Sequence, residues 1–429
     1  MEQTLAGGSL GLLCICGRKK PQRWELHRVP PGRGPFLGRI STGCASLNPW
    51  LFSSCPSGTG TPDVGRTLRF EKFMGGPLTT WGCGEKAVVR GSRGIRLQGQ
   101  AKPPESAHQE RLAGGTTLKE PHLVLGIGEL LWDVLPEGPR LGGAPANFAV
   151  MAGRLGSHAV LLSRIGRDDL GREALLRLEP MPVDTSFVET DPEHETGRVT
   201  VSIDAGQPSY EIHQPAAWDF LELSDEWVRL AERADAICFG SLAQRSLESR
   251  QTLQTLAAQT SSKCVRVFDV NLRAPFYSGE VIQESLELAT VMKMNDAEVP
   301  LVLGLLGLPE ADADGAAPDA ALLRAGAERL LAEFPTLELV AVTRGGSGSL
   351  LVSRDEWHSH PGLPVKVADT IGAGDAFTAA MTHYLLRGAG LAVLNEAGNR
   401  WGGWVASQSG AMPPLANDVL VGIEAAIEG

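Results

Sequence analysis

The sequence predicts an α/β protein in which helices cover both faces of a mostly parallel sheet and a small β-sheet stands beside it. Two observations predict the main layers and a third the appendage. From Pro121 onward, short apolar runs of strand length alternate with amphipathic helical stretches, the order expected of parallel strands joined by crossover helices. About 300 residues carry this pattern, enough to bury roughly 75% of the unfolded surface around a core that needs no disulfide. Between Thr196 and His213, Val199, Val201 and Ile203 alternate with polar residues, a Gly206-Gln207-Pro208 turn follows, and Tyr210 and Ile212 come after it. Two half-buried antiparallel strands fit that stretch.

Taken in order, HLVLGIGELLWD (122–133) reads as a strand, NFAVMAGRLG (147–156) as a helix closed by Gly156, and AVLLSRIG (159–166) as the next strand. Later strands are expected at Ala236 to Phe239, Val265 to Val270, Val291 to Met294, Leu339 to Thr343 and Leu350 to Ser353. Helices are expected between most of them, at Trp227 to Ala234, Leu247 to Gln259, Ile282 to Ala289 and Ala320 to Glu333.

Composition divides the 429 residues into two unlike parts. Residues 1–120 hold 17 Lys+Arg against 8 Asp+Glu, with 20 of the 51 Gly, 10 of the 28 Pro and five of the seven Cys. The remainder carries 22 basic against 42 acidic side chains, so the overall charge of −11 conceals a basic extension on an acidic body. Such Gly and Pro content without a period reads as a poorly ordered extension or as a stretch preceding the true start near Leu118. A transit peptide is the other reading, although Pro30, Pro31 and Pro35 interrupt any amphipathic helix. Cys14 and Cys16 lack zinc-knuckle spacing. The apolar runs stay strand-sized, which excludes a spanning helix of the usual kind, and the acidic body argues against nucleic acid as a partner. With only Cys238 and Cys264 in the body, a reducing cytoplasm is expected.

The chemistry centres on Val367-Ala-Asp-Thr-Ile-Gly-Ala-Gly-Asp375 and the sequence AFTAAMTHYLLRG that follows. Phe377, Met381, Tyr384 and Leu385 are spaced for a helix that Gly388 ends. Gly372, Ala373 and Gly374 therefore form a small-residue loop at a helix N-terminus, where free N–H groups and the helix dipole can hold an anion. The same potential should favour an ionised Asp375, and a carboxylate beside a phosphate cradle can take a proton from a hydroxyl nucleophile. A plain N-cap would also explain Asp375. No Walker-type phosphate loop is present.

Together, Asp369-Thr-Ile-Gly-Ala-Gly-Asp375 and Gly142-Gly-Ala-Pro-Ala-Asn147 resemble the two signature regions of the PfkB (ribokinase-like) sugar kinases. Gly126-Ile-Gly-Glu129, Asp269-Val-Asn-Leu-Arg273 and Asn295-Asp-Ala-Glu298 fall in the family's order, so the likeness covers about Pro121 to Leu415. The resemblance implies a three-layer α/β/α domain with a small β-sheet lid over the sugar, the lid including Thr196 to His213. It implies Asp375 as catalytic base and Gly372, Ala373 and Gly374 as the anion hole.

Asp133 can accept two adjacent hydroxyls just past a strand end, Gly142 and Gly143 let the backbone approach a sugar ring, and Asn147 offers both donor and acceptor. Arg273 can reach a sugar or phosphate oxygen bidentately, while Asp269 and Asn271 organise its loop. The resemblance assigns Asn295 and Glu298 to magnesium and phosphate handling, Glu298 holding Mg²⁺ through water, with Lys293 facing the triphosphate. Thr343, Gly345 and Gly348 match the family's nucleotide-side turn, and Asn399 lies on a helix beside the adenine pocket. Asp369 and the backbone near Gly410 match the positions where many members bind a monovalent cation, so K⁺ accompanies ATP and Mg²⁺ among the implied ligands.

The implied activity is ATP-dependent phosphorylation of a small sugar. The Pro145 segment, the Gly-Glu-Leu-Leu-Trp-Asp133 run and Ala216-Ala-Trp-Asp219 resemble fructokinases most, while ribose, 2-keto-3-deoxygluconate and aminoimidazole riboside kinases share the motifs. A catalytically idle member would keep the fold for binding or regulation, and similar proteins form homodimers through the lid. Trp218 can cap a sugar face or pack in the core.

Overall fold

The structure is a computed structural model that describes residues 10–14, 22–26, 120–135, 138–204, 207–309 and 319–428. The chain divides into two units, Met1–Thr116 and Thr117–Gly429. In the first, β1 (Leu10–Cys14) and β2 (Gln22–Leu26) pair antiparallel with Leu10 opposite Leu26, a local ribbon that composition did not suggest. The proposed transit, start-site and cysteine readings for the rest of 1–120 fall largely outside the described residues.

The second unit begins with β3 (Leu123–Ile127), then leaves the main sheet for β4 (Leu131–Leu135) and β5 (Gly138–Gly142) before α1 (Ala144–Arg154) and β6 (His158–Leu162). The expected single strand over 122–133 is thus two strands in two different sheets. The bend falls at Gly128, whose φ of 141° an L side chain rarely adopts. Apolar residues continue across the bend, so periodicity does not reveal it. The expected strand at 159–166 likewise ends at Leu162, and β7 (Arg164–Gly166) pairs with β8 (Glu189–Asp191) on either side of α2 (Asp169–Leu178). The hairpin β9 (Gly197–Asp204) and β10 (Gln207–Ile212) forms as expected. It belongs to a four-stranded sheet of order β10-β9-β4-β5, twice the expected size.

Helices and strands then alternate: α3 (Asp225–Arg233), β11 (Ala236–Gly240), α4 (Leu247–Gln259), β12 (Val265–Asp269), α5 (Gly279–Leu288), β13 (Val291–Asn295), α6 (Glu298–Leu305), α7 (Ala320–Glu333) and β14 (Leu339–Thr343). Two antiparallel strands, β15 (Ser349–Ser353) and β16 (Trp357–His360), and three helices, α8 (Ala373–Leu385), α9 (Leu391–Ala406) and α10 (Asn417–Glu428), complete it. Side-chain caps start several helices: Ser224, Ser246 and Ser278 accept from the third residue onward, and Asp319 from Ala321 and Leu322, each contributing about 1 kcal/mol.

The main sheet has eight strands in the order β16-β15-β14-β13-β12-β11-β3-β6. The six from β14 to β6 run parallel, and β3 and β11 are buried along their whole length, as strands covered on both faces should be. Alternate residues face opposite layers. Leu125, Phe239, Phe268 and Met292 pack with Trp227, Leu256 and Ile282 on one face, while Val124, Val267 and Ala341 pack with Phe148, Phe377 and Trp401 on the other. A third cluster, including Leu130, Trp132, Val150 and Ile165, joins the lid base to α1. The result is three layers with a lid at the carboxyl ends of the parallel strands, where open α/β sheets bind ligands.

Candidate active site

A cleft of about 930 Å³ opens under the lid, walled by the ends of β3, β12, β13 and β14, the start of α8 and the middle of α9. Its phosphate-side floor is the N-terminus of α8. Gly372 caps that helix at φ 79°, and a Cβ there would come within 2.6 Å of Ala411, so both conformation and space require glycine. A Cβ on Gly374 would stand 2.8 Å from Lys293 Nζ, which puts the ammonium beside the cradle. The cradle therefore combines helix N–H groups with a buried cation.

Lys293 is held by Asp269, its Nζ lying 3.0 and 3.1 Å from the two carboxylate oxygens. Thr378 Oγ donates to the same carboxylate at 3.1 Å. Burial works against the ammonium, but the negative charges of Asp269, Asp375 and Glu298 outweigh it and raise its pKa. Lys293 was expected only to face the triphosphate. It lines the cleft, and its ion pair adds a structural duty that gives Asp269 its role.

Asp375 lies in the first turn of α8, 9% exposed, and Asn147 Nδ2 on α1 donates to its Oδ2 at 2.7 Å. The helix dipole was expected to favour the ionised form. Burial instead pushes the pKa up to about 6, and Asp269 adds to the rise against Lys293, the Asn147 hydrogen bond and Arg273. Such a carboxylate is a stronger base than a solvated one and is still largely ionised at neutral pH.

On the sugar side, Asp133 lies in mid-β4, inside the lid sheet rather than past a strand end. Its carboxylate overlies Gly142, where a Cβ would come 2.9 Å from Oδ2. Burial raises its pKa to about 6, with Arg273 and Arg140 opposing and Asp369 assisting. Gly143, the N-cap of α1 at φ 110°, passes so close to Glu129 that a Cβ would fall 2.3 Å from its carbonyl oxygen. Arg273 lines the cleft beyond β12, exposed, its Nη1 donating to the Leu272 carbonyl.

The nucleotide side holds Thr343 at the end of β14 and a tight turn in which Arg344 N donates to Gly348 O at 2.7 Å. Gly348, at φ 84°, lies so near His360 and Gly362 that no side chain fits. Asn399 lines the cleft from α9, its amide donating to Ser349 Oγ and to Asn395. Gly398 and Gly402 let α9 close on Phe377 and Ala373, and with Gly403, Val365 and Val367 they line this end of the cleft.

Three expected residues stand behind the cleft lining. Gly142 supports Asp133, as above. Glu298 accepts from Leu272 N at 2.7 Å and Asn295 N at 2.8 Å, while Asn295 Oδ1 accepts from Glu298 N. Both carboxylate oxygens are thereby committed to backbone, so Glu298 clamps two loops and Asn295 is the member of the pair that lines the cleft. Asp369 accepts from Ile371 N on Oδ1, and on Oδ2 from Gly410 N at 3.1 Å and Arg140 Nη1 at 2.5 Å. The carboxylate expected to hold a monovalent cation is thus bonded to a guanidinium. Among the described residues no group of three or more His, Cys, Asp or Glu side chains is arranged to hold a metal ion. The remaining donors suit an Mg²⁺ that arrives on the nucleotide and keeps its waters.

Sequence reasoning passed over Glu129 and Arg140. Glu129 lines the cleft with Oε2 buried and unpartnered, and burial pushes its pKa up to about 7. Its place in Gly126-Ile-Gly-Glu129 was the available signal. Arg140 carried none, because only folding brings it to Asp369. Trp218 is fully buried with the Arg245 guanidinium stacked 3.9 Å from its ring centroid, which settles it as core rather than a sugar platform.

A buried carboxylate at a helix N-terminus, facing a lid that carries a second carboxylate, is the layout of a small-molecule kinase. Residues 138–418 match the pfkB family carbohydrate kinase model, and the chain belongs to that family: it is a sugar kinase. It is 30% identical over 274 residues to a fructokinase of Escherichia coli, covering 59% of this chain and 81% of that protein. A fructokinase-1 of Zea mays is 27% identical, covering 70% of this chain and 96% of the relative. Among solved structures, an uncharacterized sugar kinase of Pyrococcus horikoshii superposes with a TM-score of 0.59 at 29% identity, covering 70% of this chain and 97% of that one. A fructokinase of Vibrio cholerae O395, in a form with fructose, ADP and calcium ion bound, gives 0.59 at 25% identity and covers 71% and 99%. Among the described residues no helix is long and apolar enough to cross a membrane.

Proposed function

We propose that this sugar kinase transfers the γ-phosphoryl group of ATP to a hydroxyl of fructose, with Asp375 as the base. One observation carries the reading: Asn147, from the sugar-side motif, hydrogen-bonds Asp375, from the phosphate-side motif, across 228 positions of sequence. A hydroxyl bonded to Asn147 would lie beside the base, with Asp133 lining the same cleft. As the hydroxyl oxygen bonds to the γ-phosphorus, the bond from phosphorus to the bridging oxygen of ADP breaks and Asp375 accepts the hydroxyl proton. The α8 N-terminus and Lys293 stabilise the charge on the transferred group, work that phosphoryl transfer demands above all. Bound Mg²⁺ would neutralise phosphate charge, with Asn295 contacting its waters. Fructose is supported by the fructokinase relatives, and Leu131, Val199 and Ile212 give the lid an apolar underside that excludes water once closed. The same reading puts the enzyme in a reducing cytoplasm, in keeping with the buried thiols of Cys238 and Cys264, and pairs two copies through their lids.

The test is ATP consumption with Mg²⁺ against fructose, ribose, glucose, 2-keto-3-deoxygluconate and aminoimidazole riboside. Turnover of fructose well above the others is expected. Preference for another sugar would move the specificity and keep the mechanism, and silence from folded protein that binds ATP would favour a regulatory member.

A further inference from the structure

Asp369 begins the loop that runs through Thr370 and Ile371 to Gly372, so whatever balances its charge sits at the root of the anion cradle. The balance comes from the lid. Arg140 lies on β5, directly across the pairing from Asp133 on β4, and reaches Asp369 Oδ2 across 229 positions of sequence. With Ile371 N on one oxygen and Gly410 N and Arg140 Nη1 on the other, both carboxylate oxygens are bonded and the guanidinium faces its charge. An alkali cation coordinated by the same oxygens would face a guanidinium at hydrogen-bond distance. Unlike a free cation, the guanidinium is tethered to the lid and cannot diffuse away.

We propose that Arg140 is a positioning residue for phosphoryl transfer: its guanidinium takes the place beside Asp369 that a monovalent cation would otherwise fill, tying the lid to the anion-hole loop and making turnover independent of potassium. The effect reaches the reaction through Asp369 and the loop, without contact between Arg140 and the reacting atoms. Its kinetic part rests on the phosphoryl-transfer reading above.

The experiment compares the wild-type chain with Arg140→Ala in potassium, sodium and tetramethylammonium chloride at constant ionic strength, using the preferred sugar and Mg-ATP. The wild-type rate should vary by less than about twofold among the salts. Loss of one charged hydrogen bond should lower kcat of Arg140→Ala about tenfold or more in tetramethylammonium. Potassium or millimolar guanidinium ion should restore most of that loss, a rescue that mere damage to lid packing would not show. Saturable, potassium-selective activation of the wild type by about tenfold or more overturns the proposal, as does an Arg140→Ala enzyme equal to wild type without potassium. Thermal denaturation supplies an arm that needs no substrate. Potassium, and not tetramethylammonium, should raise the Tm of Arg140→Ala and leave the wild type unmoved, and a selective shift in the wild type refutes the substitution of charge. Absence of turnover on every sugar would therefore count against the phosphoryl-transfer reading while the melting curves still decide the role of Arg140. Should Arg140→Ala fail to fold, Arg140→Gln keeps the length, removes the charge and is read the same way.

Discussion

At the phosphoryl end of the cleft, Asp269, Lys293 and Thr378 are buried and bonded to one another within 3.1 Å. At the sugar end, Asp133 is only partly buried and Arg273 is exposed, while Glu129 Oε2 and Asn147 Oδ1 are buried with no partner. The first region has its hydrogen bonds made before any ligand arrives, as electrostatic preorganisation requires of groups that meet developing charge. The second keeps acceptors in reserve on a wall partly built from the lid, and buried polar atoms without protein partners mark where a ligand hydroxyl fits. The difference separates the two tasks of such an enzyme. On the proposed roles, chemistry common to every substrate is built into the main domain, and recognition of one substrate is left to groups that complete their bonding on binding it.

The largest expected effect tests the fixed end. Asp375→Asn should lower kcat about 10²- to 10⁴-fold and leave sugar affinity, measured by calorimetry, nearly unchanged. Near-normal kcat would place the base elsewhere. Because Asp375 works only when ionised and its pKa is pushed up to about 6, kcat/KM should fall as pH drops through 6, by about tenfold per unit. Constant kcat/KM down to pH 5 would remove it from the role.

Next in size, Lys293→Met should cost about 3 to 5 kcal/mol in urea denaturation, since it strands a buried Asp269. A loss below about 1 kcal/mol would mean the pair is no stronger than a surface one, and the contrast between the two ends would lose its basis. The smallest effect belongs to the adaptable end. Asp133→Asn should raise the sugar KM about tenfold to a hundredfold through weakened charged hydrogen bonds, with a lesser change in kcat. The reverse split would make Asp133 part of the fixed machinery.

Legibility in the sequence followed the range of the interactions involved. Six parallel strands and the crossover helices were readable because each buries a continuous or periodic apolar face, a property of neighbouring residues. Gly372 to Asp375 was readable as a helix N-terminus from its small residues before an apolar stretch, although α8 already begins at Ala373, so of the expected loop only Gly372 stands outside the helix. The lid was half legible: the polar alternation of β9 revealed the hairpin, but β4 lay concealed in the apolar run of 122–133 and β5 in a Gly- and Pro-containing segment. The upward shift of the Asp375 pKa was not legible either, since the helix dipole is local while burial is decided by α1, β12 and β13.

By itself, then, the sequence determined the three-layer class, the parallel strands of the main sheet with most of their crossover helices, the helix N-terminus at Gly372 and the residue types around it, because these depend on short-range pattern and backbone geometry. Tertiary structure alone decided which polar and charged groups answer one another: Lys293 to Asp269, Asn147 to Asp375, Arg140 to Asp369. Each pair joins segments that spacing cannot relate, and a charge draws its meaning from whatever the fold brings within a few ångströms of it.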